Sequence, residues 1–508
     1  MSERILVLPF DPTGIVLDRR RGLSQQLYQA LRGRILDGRL SSGTRLPASR
    51  ELAEQLGLSR NTVVRAYDQL YAEGFIESRV GDGTYVSHLE KISTRLSTGL
   101  YSRLSTGLST FSPNSTEVLS SCSVSSEPLE RLKSNHLPPP KTGAPRAFRV
   151  GIPAFDLFPF DVWAKLQAGF WRNPDPAHLG YGDPAGELEL RELIAAYLRR
   201  SRGLSCTAEQ IVITHGAQQA ISLCAQLLLD PGSRVAVENP GYRAAGHAFT
   251  MAGAEVIGVP VDNDGLDCAV LESLDNCRLA YVTPAHQYPT GVTMSLARRL
   301  ALLAWAERHQ GWVIEDDYDG EYRYSGAPLA PLAALDRQGR VIYVGTFGKV
   351  AFPALRLGYL VLPTSLMREF SWARALNVRH SEVATQCVMA QFMVQGYFQR
   401  HIRRMRRAAL ARRNALLNAW PREISGVGAM PVVAAGLHLT LPVQGIERER
   451  ELIEQAERVG VEISALSNFW LPGTPDEGKS RAGLVIGFAA VPESSIKIAV
   501  EQLKKVWL

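Results

Sequence analysis

The sequence predicts a multidomain chain: a small α+β module at the N-terminus and a large α/β domain behind it. Three observations carry this prediction. A Ser/Thr-rich stretch splits the 508 residues, positive charge gathers on its N-terminal side, and strands alternate with helices on its C-terminal side. Between 93 and 126, 17 of 34 residues are Ser or Thr, and RLSTGL occurs at 95–100 and again at 103–108. Such a segment buries too little apolar surface to offset its ordering entropy, so 89–147 is expected to be a flexible linker. Residues 151–508 hold 36 basic and 36 acidic side chains, so the net +6 belongs to the first 150 residues. Within them, 21–65 carries 8 Arg against 3 acids, the electrostatic footprint of a polyanion-binding surface.

Composition excludes other classes. At 45% hydrophobic and 21% charged residues, the chain is neither collagen-like nor wholly disordered. Six scattered cysteines without CxxC spacing suit reduced thiols in a cytoplasm, not a disulfide or zinc framework. No apolar run reaches the roughly 18 residues of a membrane helix, and MSERILVLPFDPTG lacks the form of a signal peptide. No membrane partner is expected.

Residues 20–88 read as three helices and a hairpin. Leu23, Leu27, Leu31 and Ile35 recur at helical spacing, with Gly38 near the end. Leu52, Ala53 and Leu56 share a face of the second helix, and Gly57 supplies the tight turn before the third. Ser59 caps that third helix, which turns Val63, Val64, Tyr67 and Leu70 inward. FIESRVGDGTYV then forms two short strands around Gly81-Asp82-Gly83, completing a winged helix. Arg60, Asn61, Thr62 and Arg65 stand where a recognition helix presents side chains to base edges and phosphates. Arg50, ahead of the second helix, is placed for a phosphate or base, and the wing at 81–84 for the minor groove. Double-stranded DNA is the predicted partner; a helical protein-interaction module with a solvated basic face is the other reading. The run LPASRELAEQLGLSRNTVVRAYDQLYAEGFIESRVGDGTYV resembles the winged helix-turn-helix of the GntR family of bacterial regulators. That resemblance implies Arg50, Ser59, Arg60, Thr62 and Gly83 as DNA contacts.

From residue 148 onward, QIVIT, SRVAVENP, RLAYVTP, GWVIEDDYD and VIYVGTFGK read as strands between helices, an α/β fold with a parallel or mixed sheet. Ligands in such folds bind at strand C-terminal ends, and four of these ends carry chemistry. Lys349 follows VIYVGT; an amine at the edge of an apolar site can lose its proton and condense with an aldehyde. A P-loop fails here because Val350 follows the lysine. Asp316 can pair with a protonated pyridine nitrogen, and Tyr318 with a ring oxygen. The acidic run 315–319 also suggests a metal, but no histidine lies at ligand spacing, so no metal is expected. Gly216, Ala217 and Gln218 open a helix whose N-terminus can cradle phosphate, and Arg356 offers a charged phosphate contact.

Together these groups describe a pyridoxal 5′-phosphate (PLP) site. With YGDPAG (181–186), ENPGY (238–242), TPAHQYPTG (283–291), EDDYD and GTFGK in order, 148–508 resembles the fold-type I aminotransferases. The resemblance implies Lys349 as Schiff-base lysine and the one catalytic candidate, Asp316 as ring-nitrogen partner and Tyr318 as ring-oxygen partner. It further implies Tyr242 stacked on the ring, Gly216, Ala217, Gln218 and Arg356 around the phosphate, and Tyr181 beside a site shared across a homodimer. A GntR-type winged helix joined to an aminotransferase-like domain resembles the MocR group of bacterial transcriptional regulators. Two departures stand out: Gly348 replaces a serine common in the family, and Val485 occupies the apparent place of a carboxylate-binding arginine in GLVIGFAA. Arg481 and Arg243 are near it in sequence only.

The expected function is therefore a DNA-binding regulator whose aminotransferase-like domain senses PLP, an amino acid or an amine. RNA polymerase is a further expected partner. An active aminotransferase with an accessory DNA-binding domain, and a sensor of PLP alone, are the other readings.

Overall fold

The computed structural model of the protein describes residues 12, 15–18, 22–79, 82–87, 126–135, 137, 140–325, 329–472 and 481–508. The RLSTGL repeat, most of the segment expected to be a linker, and Gly81 lie outside them. The chain folds as two compact units, Met1–Ser121 and Cys122–Leu508.

The first unit is a winged helix. Helices α1 (Leu23–Leu36), α2 (Ser49–Leu56) and α3 (Arg60–Ala72) pack beside a sheet of β1 (Arg45–Leu46), β2 (Ile76–Arg79) and β3 (Gly83–Val86) in the order β1-β3-β2. Leu27, Leu31, Leu52, Val63 and Leu70 are fully buried, each contributing about 1.5–3 kcal/mol of apolar burial. Val64, expected inward, is only half-buried. Gly57 adopts a left-handed conformation that ends α2, and the Ser59 hydroxyl accepts the Thr62 backbone N–H at 3.2 Å to start α3. Arg50 lies inside the first turn of α2 and not ahead of it, because Ala48 is the residue that stands before the helix.

The second unit begins with a correction to the linker. Residues Glu127–Ser134, within the expected flexible segment, form a helix, α4. Its Pro at the start, acidic first turn and basic last turn are favourable helix signals that the Ser/Thr content upstream obscured. Asn135 then bonds the His247 carbonyl at 3.2 Å, fixing the end of α4 to a helix described below.

Helices Phe160–Arg172 (α5) and Leu188–Arg202 (α6) lead into an eight-stranded mixed sheet. Its strands are β4 (Ile211–Thr214), β5 (Arg234–Asn239), β6 (Glu255–Asp262), β7 (Gly265–Leu266), β8 (Cys277–Val282), β9 (Trp312–Asp316), β10 (Val341–Thr346) and β11 (Gly358–Val361). The order is β4-β11-β10-β9-β8-β5-β6-β7, with β11 and β7 antiparallel to their neighbours. Strands β8, β9 and β10 are nearly continuous apolar runs because helices cover both faces. Helices α7 (Ala217–Leu228) and α8 (Arg243–Met251) follow β4 and β5 directly. A smaller antiparallel sheet, β12 (His438–Pro442), β14 (Gly483–Gly487) and β13 (Ser464–Ala465), packs on helices from the C-terminal third around a separate core containing Leu439, Leu452, Leu484 and Ile496.

Candidate functional site

A cavity of about 250 Å³ opens where β4, β5, β8, β9 and β10 end, as expected for an open α/β sheet. Gly216, Ala217, Gln218, Tyr242, Asp316, Tyr318, Lys349 and Arg356 all line it. Residues far apart in sequence converge here because parallel strands deliver their C-terminal ends to one edge.

The acidic run ending β9 shows how the fold assigns separate tasks to neighbouring carboxylates. Glu315 accepts the backbone N–H groups of Leu332 and Ala333 at 2.8 and 3.0 Å. Asp317 pairs with Arg202 and takes the Tyr343 hydroxyl, and Asp319 lies 3.0 Å from His286 Nδ1. Asp316 alone of the four lines the cavity; its Oδ2 accepts the Tyr281 hydroxyl at 2.7 Å, and its Oδ1 is buried with no partner. Burial lifts its carboxyl to about 7, opposed by the Tyr281 hydrogen bond. An unpaired, desolvated carboxylate oxygen calls for a cationic N–H donor, which a protonated pyridine nitrogen provides.

Lys349 stands three residues past β10, with Nζ donating to the Gly151 carbonyl at 2.7 Å. Burial lowers its pKa, with Asp319 and Asp316 pulling the other way. Gly151 is required here: its φ is +77°, and an added Cβ would stand 2.9 Å from Nζ. Gly216 (φ +82°) precedes α7, whose first N–H groups have no acceptor within the helix, and Arg356 donates to the His215 carbonyl at 2.6 Å across the same turn. Tyr242 donates to Gln218 Oε1 at 3.2 Å, and burial pushes its phenol up to about 12.

These groups fit pyridoxal phosphate. Asp316 would meet the ring nitrogen, Lys349 the aldehyde, and the turn 216–218 with Arg356 the phosphate. Thr346 brings a hydroxyl to the same wall, two residues before the Gly348 that departs from the family pattern.

Several residues escaped the sequence reading. Tyr281, Thr283, Tyr288, Leu437, His438 and Gly151 also line the cavity. His286, Asp319 and His438 form a buried cluster whose ligand-type atoms all lie within 4.8 Å of one another. Sequence spacing showed no histidine beside the acidic run; the fold supplies His286 from the β8–β9 connection and His438 from β12. The cluster is knitted by its own hydrogen bonds: Tyr318 donates to the His286 carbonyl at 2.9 Å, and His438 Nε2 meets the Pro289 carbonyl at 3.0 Å. Burial and the neighbouring His286 keep the His438 pKa well below its usual value.

Other expected residues stay outside the cavity. Tyr181 is 89% exposed, edge-on to His380. Val485 is fully buried on β14, opposite Thr440 and Ser464, and does not reach the cavity. Arg481 lies over the Trp470 ring, and Arg243 bonds the Asn468 carbonyl. Among the described lining residues, Lys349 is the only lysine and Arg356 the only arginine.

In the winged helix, Arg50, Ser59, Arg60, Asn61 and Arg65 are exposed and Thr62 is half-buried at the start of α3. Gly83 opens β3 with φ +131°, and an added Cβ would meet the Arg45 side chain at 3.0 Å. The arginines of α2 and α3 are thus open to a partner, while the wing is close-packed against Arg45 at its base.

Comparison with known proteins agrees with both units. Residues 23–86 match the family described as "Bacterial regulatory proteins, gntR family", and 148–502 match "Aminotransferase class I and II". The chain is 34% identical to the "Probable rhizopine catabolism regulatory protein MocR" of Rhizobium meliloti, covering 97% of this chain and 96% of that protein. It is 32% identical to the "HTH-type pyridoxine biosynthesis transcriptional regulator PdxR" of Corynebacterium glutamicum, over 98% and 97%. Among solved structures it is similar to the kynurenine aminotransferase of Pyrococcus horikoshii in complex with PMP, with TM-score 0.63, 29% identity, and coverage of 80% of this chain and 98% of that one.

Proposed function

We propose, from the premise that this chain belongs to the MocR-type regulators of the gntR family, that the occupant of its strand-end cavity sets how strongly its winged helices hold operator DNA. The chain is a DNA-binding transcriptional regulator with an aminotransferase-like, PLP-binding domain. The sensing role is supported above all by one observation: Asp316 keeps a buried carboxylate oxygen unpaired in the cavity that Lys349 also enters.

When bound, the cofactor supplies an aldehyde that takes amines and a ring that withdraws electrons. The protein's share is positioning. Tyr281 orients Asp316 through its hydroxyl, and Asp316 would hold a proton at the ring nitrogen. Burial keeps Lys349 Nζ able to give up its proton, with the Gly151 carbonyl fixing the amine's direction. The α7 N-terminus and Arg356 would hold the phosphate, and Tyr242 and Tyr288, which line the same cavity, would exclude water from it. Val485 is buried away from the cavity, and the described lining residues offer no arginine beyond Arg356 to clamp a substrate carboxylate, which favours sensing over turnover.

On the same reading the protein works in the bacterial cytoplasm as a homodimer addressing two half-sites, with RNA polymerase as neighbour at the promoter. The 89% exposure of Tyr181 supports a partner subunit at that face. The effector is PLP, alone or joined by an amino acid or amine. The test is operator affinity at fixed salt, with and without PLP, for the native chain and Lys349→Ala. PLP should change the native Kd about fivefold or more and leave the variant's unmoved. A native Kd indifferent to PLP and to PLP with amines would overturn the reading.

A further inference from the structure

Helix α4 is an unusual attachment. It has eight residues and none is buried; Leu129 and Leu132 are 44% and 48% exposed. A helix this short does not persist alone in water, so its order comes from what it touches. What it touches is α8. Asn135 Nδ2 donates to the His247 carbonyl at 3.2 Å, and His247 Nδ1 lies 3.2 Å from the Asn135 carbonyl, a reciprocal pair. Leu132 and Leu137 face Ala244, Ala248 and Met251 across the same groove, and the Arg131 guanidinium lies over Gly253.

That groove shares a wall with the cofactor cavity. Gln218 lines both. Its Oε1 accepts the Tyr242 hydroxyl at 3.2 Å, while its Nε2 donates to the Ala244 carbonyl in the first turn of α8 at 2.9 Å. Tyr242 is itself the residue that precedes α8. Hydrogen bonds therefore run from the cavity through Tyr242 and Gln218 to the Ala244 carbonyl, the backbone of α8 carries the connection on to His247, and His247 bonds Asn135. In sequence, α4 is the first described element after the winged helix.

We propose that the α8 face beside Gln218 is a reversible docking surface for this chain's own segment 127–135, and that PLP in the cavity strengthens the docking. The proposal rests on the PLP reading above and adds its route out of the site. Phosphate held at the α7 N-terminus and a ring against Tyr242 would immobilise Gln218, and with it the first turn of α8, which His247 follows in the same helix. Segment 127–135 then docks on a fixed surface and folds there. Undocking melts α4 and releases residues 126–135 from the second unit. Because coupling is reciprocal, docking must tighten PLP by the same factor by which PLP favours docking.

The experiment is amide hydrogen exchange on the full chain, with and without PLP, for the native protein and for Asn135→Ala/His247→Ala, with PLP and operator affinities measured alongside. The substituted pair lies outside the cavity and belongs to the second unit, not to α2 or α3. PLP should slow exchange at residues 130–135 of the native protein about fivefold or more. The double variant should exchange fast in both states, bind PLP more weakly by no more than the same factor, and lose PLP's effect on operator affinity. Equal exchange with and without PLP in a protein whose PLP absorbance shows binding would overturn the coupling. So would a double variant whose operator affinity still responds fully to PLP, an outcome that leaves the regulator reading intact. A native operator affinity that ignores PLP would instead sink the regulator reading itself.

Discussion

The winged helix and the strand-end cavity use the same kinds of residue in opposite ways. In α3 and α2, Arg50, Arg60, Asn61 and Arg65 stand exposed on a surface whose only demand is that the helices form. At the cavity, Asp316, Lys349, Tyr242 and Tyr318 are desolvated, their pKa values displaced, and each is held by a partner distant in sequence. An exposed reading face gains its energy only when DNA arrives, mostly from phosphates. A buried site has already met its desolvation cost through folding, and it is correspondingly sensitive to which group completes it.

If that contrast is right, a core deletion in one region should spare the other. Leu31→Ala, at a fully buried position of α1, should cost about 2–5 kcal/mol and abolish operator binding. PLP absorbance should persist in the same sample; its joint loss would show that the two sites do not stand on separate cores.

The next largest effect sharpens the buried side. Without cofactor, burial lifts the Asp316 carboxyl to about 7, whereas the unfolded chain releases that proton near about 4. The native state binds the extra proton between these values, so Asp316 lowers stability as pH rises from about 4 to about 7. Cofactor-free Asp316→Asn should therefore be more stable than the parent at pH above about 7, by up to about 4 kcal/mol, and equal to it below about 4. Denaturant melts across that range measure it. A pH-independent difference would mean that Asp316 is not the desolvated group described.

On the exposed side the effects are smaller. Arg60→Ala should weaken operator binding by about 1–3 kcal/mol if it reads a base, with the loss confined to the specific site in footprinting. A uniform loss on all sequences would reassign it to phosphate. Ser59→Ala removes the bond to the Thr62 N–H and should cost about 0.5–2 kcal/mol of unit stability, read from thermal unfolding.

The contrast also explains what the sequence made legible. Ser59 capping α3, Gly57 ending α2 and the strand–turn–helix at Thr214–Gln218 are local signals, and their structures follow from a few adjacent residues. Lys349 and Asp316 were legible because each closes an apolar strand run. Tyr281, Gly151, His286 and His438 were not, since nothing adjacent in sequence marks them; parallel strand register and the β12 edge bring them to the cavity. Helix α4 was hidden for a different reason. Its own residues favour a helix, but at eight residues only contact with α8 makes that preference count. Val485 shows the reverse case: the sequence flagged a missing arginine, and the fold buries the position in a different sheet from the cavity.

The most direct measurement of the central claim is borohydride reduction of the PLP-loaded protein followed by peptide mapping. The account predicts a visible absorbance band and a pyridoxyl group trapped on Lys349 alone. A colourless protein, or a label on any other lysine, would contradict it.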